Sequence, residues 1–176
     1  IDMLDEWMHL GSTLPKFIVG WNTSLSYGGI NLFVQFSGRF GGVAVSDTRA
    51  MMDRYGVSQE TADARDNGGV PLGHGIMTDP RNYYETISEI SGTYYLYDAT
   101  NIRLSELSIS YDLPKKWFND KMGLTVGFTG KNLWMIYCKA PFDPESIASA
   151  GNYYQGVDQF MMPSTRNVGF SLRLKF

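Results

Sequence analysis

The chain is predicted to be all-β, a portion of an antiparallel up-and-down transmembrane β-barrel with long extracellular loops. Three observations predict it. First, Asn167–Phe176 alternates strictly: Val168, Phe170, Leu172, Leu174 and Phe176 are apolar, and Gly169, Ser171, Arg173 and Lys175 lie between them. Period two puts one set on each face of a strand. Second, the strand-like segments run to about 11–13 residues, beyond the usual soluble strand of about 5–6 and long enough to cross a bilayer at a tilt. Third, short turns and long excursions alternate along the chain, as they do at the two rims of an outer-membrane barrel.

The first strand is expected over about 15–27. Phe17, Val19, Trp21, Leu25 and Tyr27 share one parity, and Asn22, Ser24 and Ser26 share the other. Gly28-Gly29 supplies the positive φ of a tight hairpin turn. The second strand follows over about 30–42, with Ile30, Leu32, Val34, Phe36 and Phe40 on one face. Asn31, Gln35, Ser37 and Arg39 lie on the other, where Phe33 is an exception. Phe17 to Gly38 carries no charge, but its regular polar residues and central glycines favour two strands and a turn over a membrane helix.

Residues 43–98 are expected to form one long water-exposed excursion. Charges crowd between Asp47 and Asp66 and read as a solvated face. Asp47 is placed to cap a short helix ended by Gly56, and Ser58 to cap another. Asn67-Gly68-Gly69, Pro71, Gly73-His74-Gly75 and Asp79-Pro80 read as irregular loop. A third strand is expected over about 99–111. Its parity switches between Ile102/Leu104 and Leu107/Ile109/Tyr111, which predicts a bulge near Ser105. A polar turn with Pro114 leads to a fourth strand over about 122–137, a second excursion over 138–164, and a closing strand over about 165–176 that should pair with Leu124–Trp134. The turns at Gly28-Gly29 and 112–121 are expected to be periplasmic and the two excursions extracellular. Five strands cannot enclose a barrel, since small closed ones start at eight. The chain is therefore expected to be the C-terminal part of a larger barrel, here beginning at Ile1 without a signal peptide.

Composition narrows the function. The formal net charge is -3, which gives no broad basic field for nucleic acid. Charged residues make up 19% of the chain, below the usual quarter or so. Cys138 is the single cysteine, so no internal disulfide forms. His9 and His74 have no metal-ligand spacing around them, and no nucleophile, phosphate-loop or metalloprotease pattern occurs. The expectation is no enzyme, no cofactor and no metal.

The candidate ligand-binding residues are Tyr83, Tyr84, Tyr94, Tyr153, Tyr154, Asp143 and Glu145. Tyrosine stacks on sugar rings or peptide side chains and still hydrogen-bonds, so these rings, with Tyr95 and Tyr97, either line a substrate cavity or meet a lid protein, or pack the loops on one another. Asp143 and Glu145 either bind a cation or a sugar hydroxyl, or order a turn in which Pro144 fixes φ.

Several stretches resemble the SusC/RagA-type TonB-dependent transporters of the Bacteroidota outer membrane. Leu14-Pro15-Lys16-Phe17 with Gly20 and Ser24–Tyr27 is similar to the family's "PKF…G…LSY". Asn101–Pro114 is similar to "RL-x-x-(L/V)-x-L-x-Y-x-LP", Gly130-Lys131-Asn132-Leu133-Trp134 to "G-x-NL(F/W)", and Asp143-Pro144-Glu145 to "DPE". Pro163-Ser164-Thr165-Arg166 before the closing strand resembles the family ending. The resemblance implies about five C-terminal strands of a 22-stranded barrel. It implies uptake of a nutrient (a glycan, oligosaccharide or peptide) with a SusD-like surface lipoprotein, driven by TonB through parts outside this chain. It also implies Phe176 as part of the signal read by the barrel-assembly machinery. Lumen-facing Asn22, Ser24, Asn31, Gln35 and Ser37 would then meet plug or water. The competing expectation is a secreted or surface carbohydrate-binding β-sandwich.

Overall fold

The structure, a computed structural model, describes residues 8–90, 93–118, 122–146 and 154–175. In chain order the elements are β1 (Phe17–Tyr27), β2 (Ile30–Phe40), β3 (Val43–Ser46), α1 (Asp47–Arg54), α2 (Gln59–Asp66), β4 (Val70–Gly73), β5 (Ile76–Thr78), α3 (Pro80–Ile90), β6 (Leu96–Asp98), β7 (Asn101–Asp112), β8 (Gly123–Cys138), β9 (Val157–Asp158) and β10 (Asn167–Lys175). A 3-10 turn, Lys115–Phe118, follows β7. The chain divides into a sheet unit (15–41, 99–145, 163–176) and a loop unit (1–14, 42–98, 146–162).

The sheet unit is one antiparallel five-stranded sheet in the order β1-β2-β7-β8-β10. Its register keeps apolar residues opposite apolar residues across the strands. One row runs Leu25–Leu32–Ile109–Phe128–Phe170, and the next runs Tyr27–Ile30–Tyr111–Val126–Leu172. Within this face Phe17 stacks on Phe40 and Trp21 on Phe36, and Phe128 meets Phe170 edge-on. The face is bare: Tyr27, Phe170 and Leu172 are 90%, 83% and 71% exposed.

The opposite face carries the polar parity, tied across strands by side chains. Ser26 donates to Asn31, Asn31 to Asp112, and Thr125 to Asp112, while Ser108 bonds Thr129. Phe33 does sit on this face, paired with Ser24 and Ser108. The pairing on both sides of β7 skips Ser105, and its hydroxyl bonds Ser37. That one extra residue reconciles the two apolar parities of β7.

The loop unit is more ordered than an irregular excursion. α1 is capped by Ser46, whose hydroxyl accepts from the Arg49 amide. The capping residue is thus one position before Asp47, which instead places its charge in the first turn, where it favours the helix dipole. Ser58 caps α2 by accepting from Thr61 N–H. α3 starts at Pro80, a residue suited to a first helical position, and buries Tyr84 and Ile87 one turn apart. α1 and α2 both pack on α3. Gly73-His74-Gly75 closes the β4–β5 hairpin, all three residues at positive φ. β6, β3 and β9 form a small sheet in which β9 runs parallel to β3. Here the fully buried Ser46 hydroxyl also donates to Asp158 at 2.6 Å.

Among the described residues no helix is long and apolar enough to cross a membrane, which leaves crossing by strands untouched. The hairpin turn generates a prediction. Gly28 and Gly29 have φ of 56° and 88°, the conformation of a type I′ turn. A Cβ on Gly29 would lie 2.9 Å from the Asp112 carbonyl, whereas one on Gly20 meets nothing. Gly29→Ala should cost about 1–3 kcal/mol, and Gly20→Ala at most about 0.5 kcal/mol, read by denaturant unfolding of the full-length protein.

Candidate functional site

In the sheet unit, four of the sequence motifs converge on one guanidinium. Arg103 stands on the polar parity of β7, opposite Ser37 and Met135, and its side chain is 6% exposed. Its Nη2 donates to Asp143 Oδ1 at 2.9 Å and lies 3.4 Å from Glu145 Oε2. Its Nη1 reaches Ser164 Oγ at 3.3 Å and Asn132 Oδ1 at 3.5 Å. Asp143 also accepts from the Glu145 amide at 3.1 Å, the Ser164 amide at 3.2 Å and the Ser164 hydroxyl.

Asn132 completes the network through an unusual backbone. The β7–β8 pairing skips Asn132 and Leu133, and Asn132 takes φ 51°, a conformation asparagine tolerates better than most residues. Its amide then points at the segment before β10, donating to Ser164 Oγ at 2.8 Å, Ser164 O at 3.1 Å and Thr165 O at 3.3 Å. The bulge thus aims a side chain that regular pairing would have left in the ladder.

Electrostatics matches the geometry. Burial works against the charged form of Asp143, but Ser164, the Glu145 amide and Arg103 more than offset it and hold the carboxyl below its ordinary value. A depressed carboxyl stabilises the fold at pH above its unfolded value of about 3.9, and that stabilisation is lost as pH falls through the folded value. Asp143 and Glu145 are therefore brought together, with their charges turned to Arg103. Cys138, at the end of β8, donates weakly to Ala140 O and Phe142 O.

The tyrosines lie in the loop unit. Tyr83 and Tyr84 meet edge-on on α3 at 5.2 Å, as do Tyr94 and Tyr95 at 5.0 Å. Tyr84 and Tyr95 are buried, whereas Tyr94 and Tyr154 are about half exposed. Burial, followed by the nearby Asp53 carboxylate, pushes the Tyr95 phenol far above its ordinary range. Tyr84 also lines a cleft of about 320 Å3 with residues from all three helices. Tyr153 and Phe176 lie outside the described residues. Among the described residues no group of three or more His, Cys, Asp or Glu is placed to hold a metal ion.

Arg103, Asn132 and Ser164 are not legible as site residues from sequence, although each lies inside one of the family-like motifs. The available signal was parity: Arg103 is a charge on the polar face at the level where β7 bulges.

Comparison with known proteins agrees with the fold. The chain is 26% identical over 196 aligned positions to TonB-dependent receptor P26 of Formosa agariphila, covering 98% of this chain and 18% of the receptor. It is 27% identical over 175 positions to TonB-dependent receptor P3 of the same organism, covering 95% and 17%. It superposes on the RagAB peptide importer in the open-open state with a TM-score of 0.66 at 22% identity, covering 94% of this chain and 18% of that one. For the closed-closed state the TM-score is 0.63 at 20% identity. No family model matches. The fold is thus like that of the matching part of the RagAB peptide importer, and the sequence is similar to part of two TonB-dependent receptors. The chain spans less than a fifth of the length of these relatives.

The ion pair gives a test. Asp143→Ala leaves a buried guanidinium short of its main partner and should cost about 3–5 kcal/mol. Glu145→Gln, at a more exposed partner, should cost about 1 kcal/mol or less. Denaturant unfolding of the full-length protein distinguishes the two.

Proposed function

We propose that this chain forms part of the wall of an outer-membrane, TonB-dependent importer that takes up a nutrient, a glycan or a peptide. The observation that carries this reading is the bare apolar face. Five neighbouring strands put Leu, Ile, Val, Phe, Trp and Tyr on one side and hydrogen-bonded polar groups on the other, and the apolar side is exposed. Water makes such a face unfavourable, whereas hydrocarbon suits it. A strand of 11 residues such as β1 or β2 is about 36 Å long. Tilted by about 45°, it covers about 25 Å, the height of the apolar band of an outer-membrane barrel.

In this reading the loop unit belongs outside the cell and the Gly28-Gly29 turn in the periplasm, because barrels place long loops outside and short turns inside. β10 is the closing strand and runs inward, and by resemblance Phe176 is part of the signal for the barrel-assembly machinery. Asn22, Ser24, Asn31, Gln35 and Ser37 face plug or water in the lumen. By resemblance the partners are a SusD-like surface lipoprotein that presents substrate and TonB acting through other parts of the protein. The named receptors P26 and P3 and the RagAB peptide importer support import over enzymatic chemistry. The β-sandwich alternative needs a second sheet over the apolar face, and the exposure of Tyr27, Phe170 and Leu172 speaks against one.

The full-length protein should fractionate with the outer membrane, need detergent for solubility and migrate differently on gels before and after heating. A full-length protein that is monomeric in buffer without detergent would sink the proposal. Face-specific substitution sharpens the test. Phe170→Lys, on the apolar side, should destabilise the folded barrel by about 2–4 kcal/mol, while Ser171→Lys on the polar side should change stability by no more than about 1 kcal/mol.

A further inference from the structure

The end of the sheet with the Gly28-Gly29 turn has a chemistry of its own. The last apolar row there contains Tyr27 and Tyr111, both exposed. The Asp112 amide donates to the Gly29 carbonyl at 2.8 Å, and the Leu113 amide donates to Leu124 O at 2.8 Å, so the chain leaving β7 is still tied to its neighbours. Directly beyond lies the 3-10 turn Lys115–Phe118, in which the Trp117 amide donates to the Pro114 carbonyl at 3.0 Å. Trp117 is 71% exposed, and Lys116 beside it is exposed as well. Water is a poor environment for so bare an indole. A bilayer interface suits it, because the ring lies against acyl chains while its N–H keeps a polar partner.

Charge is sorted along the chain in a way that adds to this. From 113 to 122 the sequence holds Lys115, Lys116 and Lys121 against Asp120. From 43 to 98, by contrast, acids outnumber arginines and lysine does not occur. Asp112, which ends β7, lies on the polar side, where Asn31 and Thr125 donate to it. An interfacial ring and a local cationic excess thus meet just past the strand length that spans hydrocarbon. The anion found at that depth is the phosphodiester of a phospholipid. A lysine ammonium reaches it on a flexible stem whose methylenes stay with the apolar surface. A zwitterionic headgroup brings its own cation up to the lysine, whereas an anionic headgroup does not.

We propose that the 3-10 turn after β7 is a binding surface for anionic phospholipid, with Trp117 seated at the level of the headgroups and Lys116 drawn to the phosphodiester. The inference rests on the reading of the sheet as membrane wall. It adds a headgroup preference that the apolar face alone does not give, since acyl chains are alike whatever head they carry.

The test reconstitutes full-length protein in bilayers that mix phosphatidylcholine and phosphatidylglycerol, one or the other brominated on its acyl chains. Bromine quenches a tryptophan that it touches, and the difference between wild type and Trp117→Phe isolates Trp117. Per molecule, brominated phosphatidylglycerol should quench Trp117 about fivefold more effectively than brominated phosphatidylcholine, the factor for one lysine near an anionic surface. Lys116→Glu should abolish that preference. Salt at about 0.5 M should shrink it in the wild type, a readout that needs no variant. Lipids retained through delipidation and counted by native mass spectrometry give the ratio again without Trp117→Phe. Glycerol phosphate added in solution should leave the preference unchanged, and competition by it would point to a free-phosphate site and overturn the lipid assignment. The proposal also falls if neither lipid quenches Trp117, if both quench it equally, or if the preference survives Lys116→Glu in folded protein. A protein that inserts without headgroup preference removes this inference alone, whereas one that does not enter the bilayer removes the wall reading.

Discussion

Hydrogen-bond register is the constraint on which the sheet depends. Each strand alternates by itself, but a two-faced wall exists only if every neighbour is in phase, since a slip of one residue exchanges the faces. β1 and β2 are phased by a two-residue turn that fixes which residues oppose each other. β2 and β7 are separated in sequence by the whole segment 41–100, so no turn can set their phase. Their agreement comes from side chains: Phe36 opposite Leu104 above the bulge, and Val34 opposite Leu107 below it. The bulge at Ser105 lets one strand carry two parities without breaking the apolar face.

The Arg103 network acts on a different scale. It joins β7 and the bulge in β8 to the segment after β8 and the approach to β10, two pieces that lie outside the strand pairing. A buried ion pair is a weak source of net stability, because desolvation consumes much of the attraction. Its value here is positional. Guanidinium geometry, two carboxylates and an amide admit few arrangements, so the chain's return toward β10 is fixed by directional bonds. The tyrosines of the loop unit, by contrast, are organised by burial and by edge-on ring pairs, which tolerate more variation.

Legibility from sequence followed the range of the interactions. The five long strands and the Ser105 bulge were readable because alternation is local and repeated over many residues. The Ser58 cap was readable because a capping serine is also a local signal. α3 was hidden because Asp79-Pro80, which begins the helix, reads equally as a loop signal, and its buried pair Tyr84 and Ile87 is too short a pattern to settle the period. β3, β6 and β9 were invisible, being two to four residues long and formed only by distant pairing. At the site, Asp143-Pro144-Glu145 stood out as a motif, but its cationic partner lies 40 residues earlier, and nothing local joins them. Asp53 was legible only as one charge among many, because its burial is a property of the helix packing.

Asn132 shows how one position can lose its freedom to vary. Its backbone conformation is open to glycine at little cost, and its hydrogen bonds require a short side chain bearing both an acceptor for Arg103 and donors for the Ser164 segment. Glycine meets the first demand and fails the second. Glutamine carries the right groups on a stem one carbon too long, and aspartate offers no donors when ionised. The physical chemistry leaves a single residue type satisfying both. A rare backbone geometry combined with a two-sided hydrogen-bond requirement narrows the residue types that suit this position to one.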